Sequence, residues 1–241
     1  KWRVQLAEQA LALPPLPDQK TKGWENTDIS ALDFDAYEAA EAVPVIAGAT
    51  GATVLDLAEA ADSHPDLIGT LGTLVPGDDP FVARNEAGPR NGVLIHVPAG
   101  VTLTEPIQIE VPIDSAGAAV NWRTLIVLEE GSEAEVWEHW SSPGDEVDAV
   151  LNSVVELAVG QAATLRYVNT QDISEKAWIF ATQRAEVERD GRLDWAALGF
   201  GSARGKVRME TKLAGPGSEA RVTGGYAGGP GQHLDFDTLQ E

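Results

Sequence analysis

The sequence contains no cysteine, and this absence removes three kinds of chemistry from its 241 residues. Disulfide bonds, thiolate metal sites and cysteine nucleophiles all require the missing thiol. Disulfides are typical of secreted proteins, so a chain without them agrees with a reducing, intracellular setting. We therefore expect a cytoplasmic protein.

Basic residues are scarce as well. Lysine and arginine number 17 against 38 aspartates and glutamates, which gives a formal net charge of −21 and a sequence pI near 4.4. Such a surface repels phosphate groups, so we expect no nucleic acid and no anionic membrane as a direct partner. Hydrophobic residues still make up 43% of the chain, as in globular proteins.

Long apolar stretches and targeting signals are also missing. The uncharged run at residues 42–55 is much shorter than the roughly 20 apolar residues of a membrane span. No basic segment followed by an apolar one opens the chain, as a secretory signal would. The chain does not begin with methionine and stops within a strand pattern, so we expect it to be a piece of a longer protein.

The first 90 residues predict a small N-terminal region of helices and loops. Apolar residues recur with helical spacing over residues 2–13, and prolines follow at once. A second helix is predicted from Thr53 to Ser63, and a short helix or turn over residues 67–74. The proline-rich stretch at 76–80 predicts a break in structure.

Residues 91–241 have a different texture, which predicts a mainly β core. Short runs of alternating apolar residues are separated by Gly, Pro, Asn or Asp. Glycines followed by strand-like runs recur about every 30 residues, a period typical of a β-solenoid. These glycines are Gly100, Gly131, Gly160, Gly191 and Gly217. An ordinary β-sandwich is the alternative, because its turns also recur.

The repeats also predict which side chains face the interior. In the last four units the positions three, five and seven after the glycine carry mostly small or apolar residues. These are Ala134, Val136 and Glu138; Ala163, Leu165 and Tyr167; Asp194, Ala196 and Leu198; and Ala220, Val222 and Gly224. Alternate residues share one face of a strand, so we expect these sets to line a narrow core.

One group of residues has the spacing of a metal site. On a strand, His233, Asp235 and Asp237 would share a face, and imidazole with carboxylates suits Fe(II), Mn(II) or Zn(II). Short polar strands with such triplets are common, so the site is a hypothesis. The remaining histidines, His64, His96 and His139, are expected to have structural roles.

Nucleotide-binding and hydrolase motifs are missing. Neither the phosphate loop of nucleotide hydrolases nor the glycine fingerprint of dinucleotide folds is present, and there is no nucleophile elbow. Two carboxylates that converge in space could still cleave a polysaccharide, with Glu138 and Asp194 as the residues to test. The tryptophans in strand-like segments could line a sugar groove or pack in the core.

Several segments, taken in order, resemble one family, the SufB/SufD proteins of iron–sulfur cluster assembly, and the chain is nearer the SufD side. The similar segments are residues 24–29, 54–74, 81–87, 91–101, 105–109, 123–138 and 229–235. Within the first of them, Asn26 stands where the family has an aromatic residue, and just before it Lys22 and Gly23 replace an acidic pair.

The resemblance implies a right-handed parallel β-helix core flanked by helical segments. It implies a non-catalytic scaffold subunit that pairs with a SufB-like subunit and holds a SufC-like ATPase, with ATP hydrolysis in the latter. The complex would build a transient iron–sulfur cluster, and this chain alone would bind no cofactor. The family's cluster residues lie beyond the stretch at 229–235, so none is carried over.

Two interpretations therefore remain open from the sequence: the assembly scaffold and a β-helix enzyme acting on carbohydrates. The lack of cysteine favours SufD over a SufB-like paralogue. A homodimer is also possible.

Overall fold

The computed structural model describes residues 13–75, 77, 79–88 and 91–241. Fourteen β-strands dominate these residues and form two sheets. The early strands are β1 Glu38–Ala40, β2 Val45–Ala47, β3 Thr53–Asp56, β4 Asn91–Val97, β5 Ile107–Pro112, β6 Ala118–Leu128 and β7 Glu133–Ser141. The later strands are β8 Val150–Val159, β9 Thr164–Asp172, β10 Trp178–Val187, β11 Arg192–Gly199, β12 Arg204–Leu213, β13 Glu219–Tyr226 and β14 His233–Gln240.

The strands from β4 onward alternate between the two sheets, so the chain winds as a parallel β-solenoid of about five turns. Sheet A has the order β14-β12-β10-β8-β6-β4-β3, with β1 also paired to β6, and sheet B has the order β13-β11-β9-β7-β5-β2. Each coil contributes one strand to each sheet. The predicted mainly β solenoid is thereby confirmed, and the sandwich alternative is wrong.

The interior is a continuous apolar column because equivalent residues stack in register. One inner column of sheet B runs through Val136, Tyr167, Trp195 and Val222, which are Cα partners on successive strands. Trp122, Trp140 and Trp195 are fully buried. The tryptophans that could have lined a groove are therefore mostly core residues, with Trp137 as an exposed exception.

The turns into sheet B have a residue with positive φ two positions before the strand or bridge that follows. These residues are Gly100, Gly131, Ala162, Asp190 and Gly217. The predicted inner face was correct after Gly131 and Gly160. After Gly217 it was correct for Ala220 and Val222, which pack against the core, but not for Gly224, which is exposed. It was wrong after Gly191. There Asp194, Ala196 and Leu198 are half-exposed, and Leu193, Trp195 and Ala197 are buried instead. In this unit the interior positions must be counted from Asp190 and not from Gly191. Asp190 takes the left-handed backbone conformation at this turn, although glycine adopts that conformation at the least cost.

The N-terminal region contains more strand than the sequence predicts. Residues 53–56 form β3, antiparallel to β4, and the helix α1 begins only at Leu57 and ends at Ser63. The pairing with β4 outweighs the helical pattern, and Asp56 caps α1 by accepting a hydrogen bond from the Ala58 amide. The short helix α2 spans Pro65–Ile68 and so begins two residues before the predicted segment 67–74, most of which forms turns.

The proline-rich stretch was predicted only as a break, yet a helix starts at its end. Helix α3 spans Pro80–Ala87, with Pro80 at its first position and the Asp79 carboxylate accepting hydrogen bonds from two backbone amides. A short 3₁₀ helix, Phe34–Ala36, lies earlier in the chain. The helix predicted over residues 2–13 lies, except for its last residue, outside the described residues.

The N-terminal strands join the two sheets of the core. Strands β2 and β3 pair antiparallel with β5 and β4, and β1 pairs parallel with β6. The division of the chain into regions 1–90 and 91–241 stays a prediction. No helix among the described residues has the length and apolarity needed to cross a membrane.

Candidate functional site

Strand β14 carries the three residues predicted as metal ligands. His233, Asp235 and Asp237 occupy alternate positions on it, as expected for one face of a strand. Asp237 is exposed, whereas His233 and Asp235 are half-buried. The Nε2 atom of His233 is buried without a hydrogen-bond partner.

The Asp235 carboxylate is occupied by protein groups. It accepts a hydrogen bond from the Lys206 ammonium at 2.7 Å and another from the Thr27 hydroxyl. Burial alone would raise the pKa of Asp235, but the hydrogen bonds from Lys206 and Thr27 and the positive charge of Lys206 lower it below its usual range. Asp235 is therefore an ionised partner of a nearly buried lysine.

Lys206 also connects this carboxylate to an aromatic cluster. Its Nζ lies 5.7 Å from the centre of the Trp24 ring, within the range of a cation–π interaction. Trp24 stacks on Phe81 at 5.3 Å, and Phe81 stacks on Phe180 at 3.9 Å between ring centres. Two sequence segments singled out for their resemblance, 24–29 and 229–235, thus meet at Lys206.

The described residues contain no group of three or more His, Asp or Glu side chains placed to hold a metal ion. The structure gives His233, Asp235 and Asp237 no common coordination site, because Asp235 is engaged with Lys206 and Thr27. Metal binding by these residues stays a prediction without structural support.

A cleft of about 530 Å³ lies beside this cluster on the outer face of sheet A. Three cationic side chains line it, from Lys22, Lys206 and Arg208, and so do three carboxylates, from Glu25, Asp79 and Asp237. The charges balance, and Asp79 already caps helix α3. The lining favours neither an anion nor a cation.

A second polar cluster lies inside the solenoid. Glu138 is 1% exposed and accepts four hydrogen bonds. Its Oε1 accepts from Trp122 Nε1 at 2.7 Å, Thr124 Oγ1 at 2.8 Å and Trp140 Nε1 at 3.0 Å, and its Oε2 accepts from Tyr167 Oη at 2.6 Å. Burial, and then the charge of Glu138, raise the pKa of Tyr167 well above its usual range, so the phenol remains a donor.

This geometry bears on the proposed carbohydrate chemistry. Glu138 points into the packed interior, whereas Asp194 lies on the outer face and forms an ion pair with Arg221. Two catalytic carboxylates of a glycosidase must flank one substrate bond. Glu138 and Asp194 face opposite sides of sheet B and cannot do so.

The other histidines have local partners. Nε2 of His96 lies 2.9 Å from Glu129, Nδ1 of His139 lies 2.8 Å from Glu110, and Nδ1 of His64 lies 2.9 Å from the Ser63 hydroxyl. Each of the three rings thus has a partner within the chain, and a structural role for them stays a prediction. The hydrogen bond from His96 is the main reason that the pKa of Glu129 is lowered.

A buried ion pair under the N-terminal region was not predicted from the sequence. Arg123 donates to the Glu156 carboxylate at 2.9 Å, and Glu156 is fully buried. The same carboxylate accepts from the backbone amides of Gly72 at 2.8 Å and Leu74 at 3.1 Å, which fixes that loop on sheet A. The available signal was a single charged residue inside each of two otherwise apolar strand runs.

Comparison with known proteins adds an independent finding. The family model described as "SUF system FeS cluster assembly, SufBD core domain" matches residues 111–241, which is more than half of the chain. Those residues run from the end of β5 to the end of the described solenoid.

Individual relatives agree with this match. An iron–sulfur cluster assembly SufBD family protein of Staphylococcus epidermidis is 29% identical over 164 residues, covering 68% of this chain and 35% of that protein. The iron–sulfur cluster assembly protein SufB of Bacillus subtilis is 28% identical over 160 residues, covering 66% of this chain and 34% of that protein. The matched stretch thus spans about a third of the length of these relatives.

Proposed function

Since the chain belongs to the SufBD family of iron–sulfur cluster assembly proteins, we propose that it is the SufD-like, non-catalytic scaffold part of a SufBCD-type complex. The observation that carries the proposal is the coincidence of the family match with the coils of the solenoid. The matched residues form all the stacked strands from β6 onward.

The packing of the solenoid supports a scaffold role. Stacked large side chains fill its interior, and the carboxylate that lies there accepts four hydrogen bonds from neighbouring side chains. Such an interior holds a rigid shape on which partners can assemble. The family match gives no support to an enzyme acting on carbohydrates, and the opposite orientations of Glu138 and Asp194 count against it.

The proposed partners are a SufB-like subunit and a SufC-like ATPase. The iron–sulfur cluster would be the cargo of the complex, formed transiently and passed on, and ATP hydrolysis would belong to the SufC-like partner. The sequence has no phosphate loop that would give this chain an ATPase site of its own. The complex would work in the cytoplasm. The lack of cysteine supports SufD over a SufB-like paralogue.

The proposal is tested by affinity purification of the full-length protein, tagged at its own locus in the native organism. We expect a SufB-like and a SufC-like protein to be recovered together with it, and ATPase activity to depend on the latter. The matched control is the same tagged strain without the SufC-like gene, in which ATPase activity should disappear. Recovery of neither partner would refute the proposal, and recovery of a cysteine-free SufD beside the tagged protein would refute the assignment to SufD.

A further inference from the structure

Residues 24–37 cross the outer face of sheet A from its last strand back to its earlier ones. Near one end, the Thr27 hydroxyl donates a hydrogen bond to the Asp235 carboxylate on β14. At the other end, the Tyr37 hydroxyl donates to Asp148, just before β8, at 2.7 Å, and the chain continues into β1, which pairs with β6. Neighbouring strands lie about 4.8 Å apart, so the four steps from β14 to β6 cover about 19 Å. Residues 24–37 are called the clasp below.

The clasp packs on an apolar cluster that is separate from the column inside the solenoid. The buried members of this outer cluster are Trp24, Ile29, Leu32, Phe81, Ala119, Val150, Trp178 and Phe180. The Trp24 ring lies 6.1 Å from that of Phe180 on β10, and it faces the Lys206 ammonium on β12. One short segment thus shares contacts with strands β6, β8, β10, β12 and β14.

Side chains hold the clasp in place more than backbone pairing does. The hydrogen bonds from its backbone amides to carbonyl groups join residues three apart, as from Thr27 to Trp24 and from Leu32 to Ile29. By contrast, β10 pairs with β8 and with β12 over ten residues each. A segment with local backbone bonds opens at a lower free-energy cost than paired strands in a core. The clasp can therefore open while the solenoid stays folded.

The clasp also joins strands that are not neighbours in the stack. In a solenoid each coil contacts the coils next to it, so an end coil can open without the others. We propose that the clasp is a conformational device that opens and closes as one unit on a folded solenoid. Closed, it ties β14 to the strands around β6. Open, it releases β14 and uncovers the part of sheet A that it crosses.

Opening the clasp would also change the cleft of about 530 Å³ beside Lys206. Residues 22–25 form one wall of this cleft, and Trp24 stands over the Lys206 ammonium. Without that wall, the ion pair of Lys206 with Asp235 faces solvent, and Asp235 loses its contact with Thr27. Access to this ion pair is therefore linked to the release of the last strand of sheet A.

Thiol labelling of single-cysteine variants tests the proposal, because the 241-residue chain has no cysteine of its own. Ala119→Cys places a reporter thiol on β6 in the cluster beneath the clasp, where Ala119 is 4% exposed. Ala185→Cys places a second reporter in the core column on β10, where Ala185 is fully buried. Each thiol reacts with a chromogenic aromatic disulfide when its surroundings open, so the labelling rate measures how often they do.

The perturbation is Thr27→Val, which removes the hydroxyl that donates to Asp235 at the β14 end of the clasp. A hydrogen bond to a charged group changes an opening equilibrium by about tenfold or more. If the clasp opens as one unit, T27V should speed the labelling of A119C, four strands away, by about tenfold. The labelling of A185C should not change, because the solenoid remains folded.

The matched control is Thr223→Val, the same change at an exposed position on the outer face of sheet B. T223V should alter the labelling rate of neither reporter. Urea unfolding of each variant measures the stability of the whole chain beside the labelling rates.

Two results would overturn the proposal. If T27V leaves the labelling of A119C unchanged, the two ends of the clasp open independently of each other. If T27V speeds the labelling of A119C and A185C by the same factor, the clasp opens only when the whole solenoid unfolds.

Discussion

Replacement of Glu138 by leucine should destabilise the solenoid far more than replacement by glutamine. Leucine has nearly the same volume as glutamate but leaves the three donors from Thr124, Trp140 and Tyr167 without this acceptor. Trp122 Nε1 also loses its bond to Glu138 but keeps a second acceptor, the Thr124 hydroxyl at 2.9 Å. Each unsatisfied buried donor costs about 1–3 kcal/mol, which gives roughly 3–9 kcal/mol for the cluster. That cost is comparable with the whole free energy of unfolding of a typical domain, about 5–15 kcal/mol.

Glutamine keeps most of this cluster. Its carbonyl oxygen can accept the three bonds now made to Oε1, and its amide can donate to the Tyr167 oxygen, which lies 2.6 Å from Oε2. Only the difference between charged and neutral hydrogen bonds is lost, so we expect E138Q to cost about 1–3 kcal/mol. From the middles of the two ranges, E138L should therefore be less stable than E138Q by about 4 kcal/mol.

Urea unfolding followed by tryptophan fluorescence measures this difference, because the indoles of Trp122 and Trp140 contact the carboxylate directly. A single transition with an unchanged slope would allow the midpoints to be compared as free energies. The variant Y167F removes one donor and should lie between the wild type and E138L. If E138L unfolds within about 1 kcal/mol of E138Q, the hydrogen bonds to Glu138 do not stabilise the core.

Three further predictions concern single contacts. Because folding lowers the pKa of Asp235, its carboxylate stabilises the fold at pH values above the pKa of the unfolded chain, and this contribution is lost as the pH falls through the folded value. Asp235→Asn should therefore reduce the loss of stability that thermal unfolding shows below about pH 4. An unchanged acid profile would contradict this. Glu156→Gln should lower the free energy of unfolding by about 3–5 kcal/mol and speed amide hydrogen exchange at Gly72. Unchanged protection of the Gly72 amide would show that the carboxylate does not hold the loop. Ala162→Gly should raise the free energy of unfolding by up to about 1 kcal/mol because φ is positive at this position. Ala163→Gly, at a buried position without positive φ, should lower it by a similar amount. Equal effects of the two variants on the midpoint of urea unfolding would refute the turn argument.

The location of the strands could be predicted because it depends on local patterns. Alternation of apolar residues and the turns between runs predicted the solenoid, and the glycines were close to its turns. The face that each strand buries was harder to predict. It depends on which turn residue takes positive φ, and Ala162 and Asp190 do so although neither is a glycine.

The errors in the N-terminal region have a related cause. Residues 53–56 carry a helical pattern but pair with β4, a partner whose position the local sequence does not reveal. The helix at Pro80–Ala87 was not predicted because the prolines near its start also suit a break in structure. Only the capping by Asp79 distinguishes the start of a helix from such a break.

By itself, the sequence determined the fold class, the periodic strands and the family resemblance, because each depends on residue types at short or regular spacing. Only the tertiary structure decided which side chains share a site. Thr27 contacts Asp235 across 208 residues of chain, and Glu138 meets its donors only when successive coils stack. The reason is that a solenoid brings residues together through strand register, and register is set by turn geometry summed over several coils.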